Sequence, residues 1–446
     1  VSNKPWLPFP AGLALALTLP PLPTGFLAPL PLILLLNQGG FWAGFLAGLA
    51  FWTLHLIWLP QSFTQLFGTW LGALPFVPLI LIKALSWGLL FGLTANRPLA
   101  RLGGWVLLEY LTNLGTLAFP WGLLGYALVE APGRMLAATG GVYLLSLLVL
   151  GVAYGLSRRQ YWVLALWAAL WLWLLPQATP DQEALIVQGA INPLQKLQGV
   201  SAEERYFQLT RTGLAAHPEV DLVVWPETAV QRVTPEAALL GRPLVSGIAA
   251  YEGGYRNRVA LFENGRPIAS YDKSRLVPFG EFFPWRPLLG GVYALFFQAF
   301  GLSNLSDTQP GTALRTVGDY GAYICYESIF PSVARIQTRA GARVLINVSN
   351  DAWFGPSFGG LQHFQMGRLR AVENGRWLLR AGNDGVSASI DPLGRVVARI
   401  PRKQPGFLLA PFKQESRTTL YTRLGDWAVA VAGLLLLVGL YRGKTR

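Results

Sequence analysis

The sequence predicts two kinds of fold in one chain. One is a polytopic α-helical membrane domain of about eight spans; the other is an α/β domain of mixed sheets placed before the last span. Three observations carry this expectation. Apolar residues make up 52% of the chain and charged residues only 13%, against roughly 25% charge in an ordinary soluble domain. From Pro5 to Ile82 there is no Asp, Glu, Lys or Arg. Between 178 and 424, charged residues return and short β-rich runs alternate with helical stretches.

A bilayer crossing takes about 20 apolar residues, so the charge-free stretch holds several. Clusters of Pro, Gly, Asn and Gln near Pro20–Pro23, Asn37–Gly40 and Pro60–Gln65 divide it. The expected spans are 6–20, 22–36, 40–59, 71–94, 103–121, 136–156, 160–176 and 425–441. Because the apolar region continues from the first span into others, a secretory signal peptide is not expected. With Lys4 inside, eight spans place Arg97, Arg101, Arg158, Arg159, Arg442, Lys444 and Arg446 on one side, and the opposite short loops hold one basic residue, Arg134. The positive-inside rule asks for this asymmetry. It puts both termini in the cytoplasm and the 178–424 insert outside the cytoplasmic membrane. Within the spans, Lys83 and Glu109 carry charge that is costly in lipid and usually faces protein or water. They read either as a structural pair or as contacts for a lipid head group, and Glu130 and Arg134 are better placed for the second role.

In the insert the expected strands are 184–188, 221–225, 243–249, 259–262, 322–325, 343–348 and 386–390, with helices over 202–216, 329–340 and 362–373. Continuous apolar runs such as Leu222-Val-Val-Trp225 suit strands buried on both faces. The segment Glu263-Asn-Gly-Arg266 carries two-residue hairpin chemistry, so the sheets are expected to be mixed. The domains are therefore 1–177, 178–424 and 425–446. The basic excess of the insert suits an anionic lipid surface, and no basic run with interleaved aromatics argues for nucleic acid.

Cys325 is the only cysteine. No intramolecular disulfide is available to it, and one thiol is too few for a cysteine-rich metal site. A buried apolar thiol and a nucleophile remain as readings. Polar residues just past strand ends are where α/β sheets place chemistry, and three such places stand out. They are Val223-Val-Trp-Pro-Glu-Thr228 with Glu227, the turn-rich stretch 269–281 with Lys273, and Ile324-Cys-Tyr-Glu327. Each alone reads as readily as solvated surface. Together they supply the parts of an acyl-transfer site. The thiol needs a base, which Glu227 can provide. The oxyanion of a tetrahedral intermediate can be met by the Lys273 ammonium and the backbone N–H after Cys325, and Glu227 can return the proton to the leaving group. A histidine-dependent route is less attractive, because the insert offers only His217 before a proline and His363 opening a helix. The histidines and carboxylates show no ligand spacing, so no metal or organic cofactor is expected.

The ordered trio of Glu227 in WPE, Lys273 in YDKSRLVPFGE and Cys325 in CYE resembles the Glu-Lys-Cys triad of the nitrilase superfamily. The stretches Val187-Gln-Gly-Ala-Ile191, Val277-Pro-Phe-Gly-Glu281 and Asn347-Val-Ser-Asn-Asp-Ala-Trp-Phe-Gly355 narrow this. With the eight-span envelope, they make the whole chain resemble one branch, the bacterial apolipoprotein N-acyltransferases. That resemblance implies an αββα nitrilase-like sandwich in the bacterial inner membrane, with no nucleic acid among its partners and a monomer as the expected state. It implies Cys325 as the nucleophile that holds an acyl chain from a phospholipid as a thioester, Glu227 as general base and Lys273 as oxyanion stabiliser. Glu281, Tyr326 and Glu327 match supporting residues of the site. The acceptor would be the α-amine of the N-terminal diacylglyceryl-cysteine of an apolipoprotein, in a ping-pong scheme. Two positions depart from the family pattern. Ala190 stands where the family motif reads Gln-Gly-Asn, and Leu197 where the family often has tryptophan.

The nearly charge-free run 282–300 follows Glu281 directly. Its aromatics and glycines suggest an arm that dips into the membrane interface and admits phospholipid, with Phe282, Phe283, Trp285 and Leu288 as contacts whose loss should leave the fold intact. The loop at Trp353-Phe354-Gly355 is a second candidate lid, and aromatic packing explains it equally well. Two other functions compete: a membrane-anchored nitrilase-type amidase using water as acceptor, and a transporter or scaffold whose external domain only binds. The second leaves the ordered Glu, Lys and Cys without a purpose.

Overall fold

The structure, a computed structural model, describes residues 6–191, 202–231, 240–300 and 307–442. Lys4, Leu197, Lys444 and Arg446 lie outside these residues. The chain forms two compact units, one of residues 1–175, 356–365 and 424–446, the other of residues 176–355 and 366–423.

The second unit is built on two sheets. The first contains β1 (Gln182–Gln188), β2 (Leu222–Val224), β3 (Leu244–Tyr251), β4 (Tyr255–Glu263), β5 (Arg266–Asp272) and, at one edge, β11 (Gly406–Phe412), in the order β11-β1-β2-β3-β4-β5. The other contains β6 (Tyr320–Ile324), β7 (Val344–Ser349), β8 (Leu378–Gly382), β9 (Ser387–Ile390) and β10 (Val396–Ile400), in the order β10-β9-β8-β7-β6. Three strands of each run parallel: β1-β2-β3, with antiparallel strands on both sides, and β6-β7-β8, with β6 at the edge and antiparallel β9 and β10 beyond β8. Helices Ala202–Ala216, Pro331–Arg339 and Gly359–Asn374 lie in the connections between parallel strands, as such crossovers require. The expected hairpin is present: Asn264 and Gly265 both have positive φ, at 48° and 75°, and join β4 to β5.

Alternation along the strands sorts the side chains into layers. Ala184, Ile186, Leu222, Val224 and Val259 meet Ala322, Ile324, Ile346, Val348 and Leu379 in one core between the sheets. Leu185, Val187, Val223 and Trp225 point the other way, against Tyr206 of the helix Ala202–Ala216. The indole of Trp225 donates to Thr210 on that helix at 2.9 Å, so its polar edge is satisfied inside the core. Four strands were not foreseen. β5 begins with three exposed residues and β10 alternates between half-buried and exposed, while β8 carries an arginine at its centre, so these three show no strong apolar run. The fourth, β11, is the apolar run Gly406-Phe-Leu-Leu-Ala-Pro-Phe412. Cys325 also lies outside the strand expected to contain it. β6 ends at Ile324, and Cys325 opens a 3-10 turn, Cys325–Ile329.

The first unit is helical. Among the described residues, two helices are long and apolar enough to cross a membrane, Phe76–Leu93 and Pro132–Ser157, or three if Phe41–His55 and Leu59–Gln65, bent by 49°, form one broken span. Gly25–Asn37, Val163–Leu172 and Trp427–Arg442 are shorter apolar helices. The expected span 103–121 is instead a helix at Pro98–Leu111, started by a proline whose fixed φ suits the first turn. Close helix approach relies on glycine: a methyl at Gly103 would lie 2.3 Å from the Ala432 carbonyl oxygen, and one at Gly439 would lie 2.3 Å from the Ala100 nitrogen.

Arg101, expected in a loop, is fully buried. Its guanidinium donates to the carbonyls of Leu35 at 2.9 Å, Leu36 at 3.0 Å and Thr94 at 3.1 Å. These carbonyls end two helices, and a cation satisfies them there. Lys83 and Glu109 do not pair with each other. The Lys83 ammonium rests over Trp52, 4.8 Å from the ring centroid, and donates to the Phe119 carbonyl, whereas Glu109 accepts from the Leu124 amide at 2.8 Å.

Candidate active site

Three strand ends bring the predicted residues together. Glu227 lies three residues beyond β2, and Pro226 precedes it in the turn. Its Oε1 accepts from Asn257 Nδ2 at 2.7 Å, and its Oε2 accepts from the Asn350 backbone amide at 2.7 Å. Both carboxylate oxygens are thus held, one by a strand of the first sheet and one by the loop after β7. Gly247 on β3 makes this possible, since any Cβ there would collide with the backbone of Pro226, Glu227 and Thr228.

Lys273 follows β5 directly and is 1% exposed. Its ammonium donates to Glu281 Oε1 at 2.7 Å and lies 3.6 Å from Glu227 Oε1. Burial alone would drive it toward the neutral amine. The charges of Glu281 and Glu227 outweigh that, and hold it above the usual lysine range. Glu281 is fixed by the Val277 amide at 2.8 Å, within the tight turn that Phe279 enters at φ 63°.

Cys325 takes φ 49° at the corner between β6 and its turn. A positive φ costs an ordinary side chain roughly 1–2 kcal/mol, and the value at Thr228, beside Glu227, is 45°. Strain of this kind collects at functional corners. Burial pushes the Cys325 thiol up, the Glu227 charge adds to the effect, and Lys273 opposes it. The resting sulfur is therefore a thiol, which needs a base before it can attack.

Glu327 ties the corners together. Its Oε1 accepts from the Tyr271 hydroxyl at 2.5 Å and from the Ser274 and Arg275 amides at 2.8 and 3.1 Å; its Oε2 accepts from the Ile324 amide at 2.8 Å. One fully buried carboxylate thus fixes the turn after Lys273 to the turn at Cys325. Tyr326 is buried against Phe330, with ring centroids 5.2 Å apart. Trp353 is 45% exposed on the turn Asp351–Phe354, Phe282 is half-buried and Trp285 is exposed. After Phe282 the chain forms the helix Arg286–Phe300. Trp285, Leu288, Val292 and Leu295, at helical spacing, are 53%, 83%, 61% and 68% exposed, whereas Phe283 is buried against Tyr293 and Phe297. Phe283 is therefore a packing residue, and its polar replacement would not leave the fold intact.

Asn257 was not foreseen. It bridges both carboxylates, with Nδ2 at 2.7 Å from Glu227 and 3.4 Å from Glu281. The signal existed: Asn257 shares its strand phase with Val259 and Leu261, so a polar amide sits where the pattern calls for core. Arg380 gave a similar signal at the centre of Leu378-Leu-Arg-Ala-Gly382. It pairs with buried Asp351 at 2.8 Å.

A lone thiol, a buried ammonium and two buried carboxylates between paired mixed sheets define a class, and comparison agrees with it. Residues 237–421 match the carbon-nitrogen hydrolase family, so the α/β unit has the nitrilase-like fold. Residues 11–155 match the apolipoprotein N-acyltransferase N-terminal domain. The apolipoprotein N-acyltransferase of Pseudomonas aeruginosa (strain UCBPP-PA14) is 34% identical, over 77% of this chain and 73% of that protein. That of Gloeobacter violaceus is 32% identical, over 97% of this chain and 93% of its own length. The chain belongs to the apolipoprotein N-acyltransferase family. Among solved structures, the carbon-nitrogen hydrolase from Helicobacter pylori G27 aligns over 58% of this chain and 92% of its own, at 17% identity and a TM-score of 0.39.

Proposed function

We propose that this chain moves a fatty acyl chain from a membrane phospholipid, through a thioester on Cys325, to the α-amine of the N-terminal diacylglyceryl-cysteine of an apolipoprotein. The observation that carries the reading is the Lys273 ammonium held between Glu281 and Glu227, in a family member whose only cysteine opens the turn after β6. Glu227 takes the thiol proton as sulfur attacks the ester carbonyl. The oxyanion is met by Lys273 and the Tyr326 amide. The C–O bond breaks, Glu227 returns the proton, and lysophospholipid leaves. In the second half, the amine attacks the thioester, a C–N bond forms as the C–S bond breaks, and the amine proton restores the thiol by way of Glu227.

Glu281 keeps Lys273 charged and placed, and Glu327 keeps the Lys273 and Cys325 turns in register. Tyr326 packs the floor beside the sulfur. The exposed stripe through Trp285, with Phe282 at its root and Trp353 on a separate turn, admits the lipid and shelters the acyl chain; its apolar face in a charged unit supports this. The reading includes about eight spans arranged as 1–177, 178–424 and 425–446. It places the enzyme in a bacterial inner membrane as a monomer, with both termini cytoplasmic and the catalytic domain on the external or periplasmic face. The charge-free run from Pro5 to Ile82 and the loop residues Arg97, Arg158 and Arg159 support it.

The test is to supply phospholipid with a tagged acyl chain and examine Cys325 by mass spectrometry. A hydroxylamine-sensitive adduct that disappears when a diacylglyceryl peptide is added is the expected result. The absence of an adduct in wild type, or its presence in Cys325→Ala, would falsify the scheme.

A further inference from the structure

The end of β7 holds a buried network that the reaction described above does not use. In the β6–β7 ladder Tyr320 pairs with Val344 and Ile324 with Val348. β7 continues one residue past that last pair to Ser349, and β6 gives way there to the turn opened by Cys325; the Ser349 hydroxyl beside the thiol favours its ionised form. Ser349 is fully buried. Its Oγ lies 2.8 Å from Asp351 Oδ1, as donor, and accepts from Arg380 Nη2 at 3.3 Å. Arg380 Nη2 in turn donates to both oxygens of Asp351, at 3.0 and 2.8 Å. Asp351 and Arg380 are both buried. Gly385 leaves the space the carboxylate needs, since a Cβ there would lie 2.2 Å from Asp351 Oδ2.

A hydroxyl has one proton to give and two lone pairs with which to accept. Asp351 and the sulfur therefore compete for the proton of Ser349. While sulfur carries its own hydrogen, Asp351 is the stronger acceptor, so the Ser349 proton points to Asp351. Once sulfur becomes a thiolate both acceptors are ions, and the preference reverses because Arg380 already compensates Asp351 whereas the new charge on the buried sulfur gains a charge-assisted bond. Asp351 tolerates the loss, since Arg380 still bonds both of its oxygens. We propose that Ser349 is a further catalytic residue: its hydroxyl turns from Asp351 to the Cys325 sulfur whenever that sulfur is anionic, and the Asp351–Arg380 pair positions it for the turn.

This inference rests on Cys325 as the nucleophile, and it applies twice in each cycle. The hydroxyl turns to sulfur as the thiolate forms for attack, returns to Asp351 while sulfur is neutral in the thioester, and turns again as the thiolate departs. No bond to Ser349 forms or breaks. Only the direction of its O–H changes, so proton and electron counts are those of the thioester chemistry alone.

The test follows the rate of Cys325 alkylation by iodoacetamide against pH, in the full-length protein in detergent. Alkylation needs neither phospholipid nor acceptor, so it is independent of whether acyl transfer occurs. Thioester formation in wild type, read separately by mass spectrometry, reports on the transfer scheme. Ser349→Ala should move the profile up by about one pH unit, which slows labelling about tenfold on its rising limb. Ser349→Thr, which keeps the hydroxyl, should restore the wild-type profile. A Ser349→Ala profile that superimposes on wild type overturns the proposal. So does an equal shift in the Ala and Thr variants, because that outcome assigns the effect to packing. Unchanged melting of both variants is the check that each comparison is between folded proteins.

Discussion

Gly247→Ala tests whether the position of Glu227 is set by backbone contact. A Cβ at Gly247 would lie 2.5 Å from the Pro226 carbonyl oxygen, 2.6 Å from the Glu227 Cα and 2.8 Å from the Thr228 nitrogen. All three atoms are backbone, so no side-chain rotation relieves the clash. Ordinary contact begins at 3.4 Å, and 3.4 minus 2.5 leaves 0.9 Å for the turn to move. The same turn is fastened to β3 by the Ala229 amide, which donates to the Gly247 carbonyl at 3.0 Å. The methyl therefore pushes where that bond pulls. Overpacking of this kind costs about 1–3 kcal/mol of stability, and a shift near 1 Å in a catalytic group costs on the order of 100-fold in rate. Single-turnover thioester formation with tagged phospholipid should therefore fall about 100-fold, with a modest drop in melting temperature. Gly151→Ala is the control, because no atom lies within 4 Å of a Cβ placed there. A Gly247→Ala enzyme that acylates at the wild-type rate would refute a role for this glycine in placing Glu227.

Three more outcomes follow. Ala190 holds φ 49°, which costs a residue with a Cβ roughly 1 kcal/mol; Ala190→Gly or Ala190→Asn should raise the melting midpoint by about 1–4 °C, and a fall in both variants would count against the strain. The Cys325 thiol ionises to an anion, so burial and the Glu227 charge favour its protonated form and Lys273 opposes them. Labelling by a small electrophile should thus still be rising above about pH 9, and Lys273→Gln should move the profile higher; a plateau below pH 8 in wild type would contradict this. Serine at Trp285, Leu288, Val292 and Leu295 together should slow acylation from phospholipid vesicles while leaving melting unchanged, whereas Phe283→Ser alone should cost about 3–5 kcal/mol of stability. Equal melting of the two variants would show that Phe283 is not packed as described.

Much of the α/β unit was legible because its strands are continuous apolar runs bounded by turn residues. The hairpin at Asn264-Gly265 could be named from two residues, since both must adopt positive φ. β10 and β5 escaped notice because edge strands need only one buried face, and their polar positions look like loop. The proposed trio of Glu227, Lys273 and Cys325 was visible as residue types past strand ends, but its fastening was not. The Glu227 contacts come from Asn257 and the Asn350 amide, about 30 and 123 residues away, and no local pattern announces a backbone amide. Arg101 misled for the opposite reason. A charged residue near a helix start reads as solvent-facing, yet carbonyls of two other helices gave it a buried set of partners.

The docking of Trp427–Arg442 against Pro98–Leu111 through Gly103 and Gly439 has a consequence for biosynthesis. The whole α/β unit is translated between these two helices. At about 5–20 residues per second, the groove over Ala100 and Gly103 waits tens of seconds for the helix that fills it. During that interval it is a smooth, small-residue seam, open to any helix bearing a matching one. The order of synthesis thus leaves Pro98–Leu111 without Trp427–Arg442 until the α/β unit has been translated. A truncation just before Trp427 would therefore leave that seam unfilled, with a defect detectable first in membrane assembly.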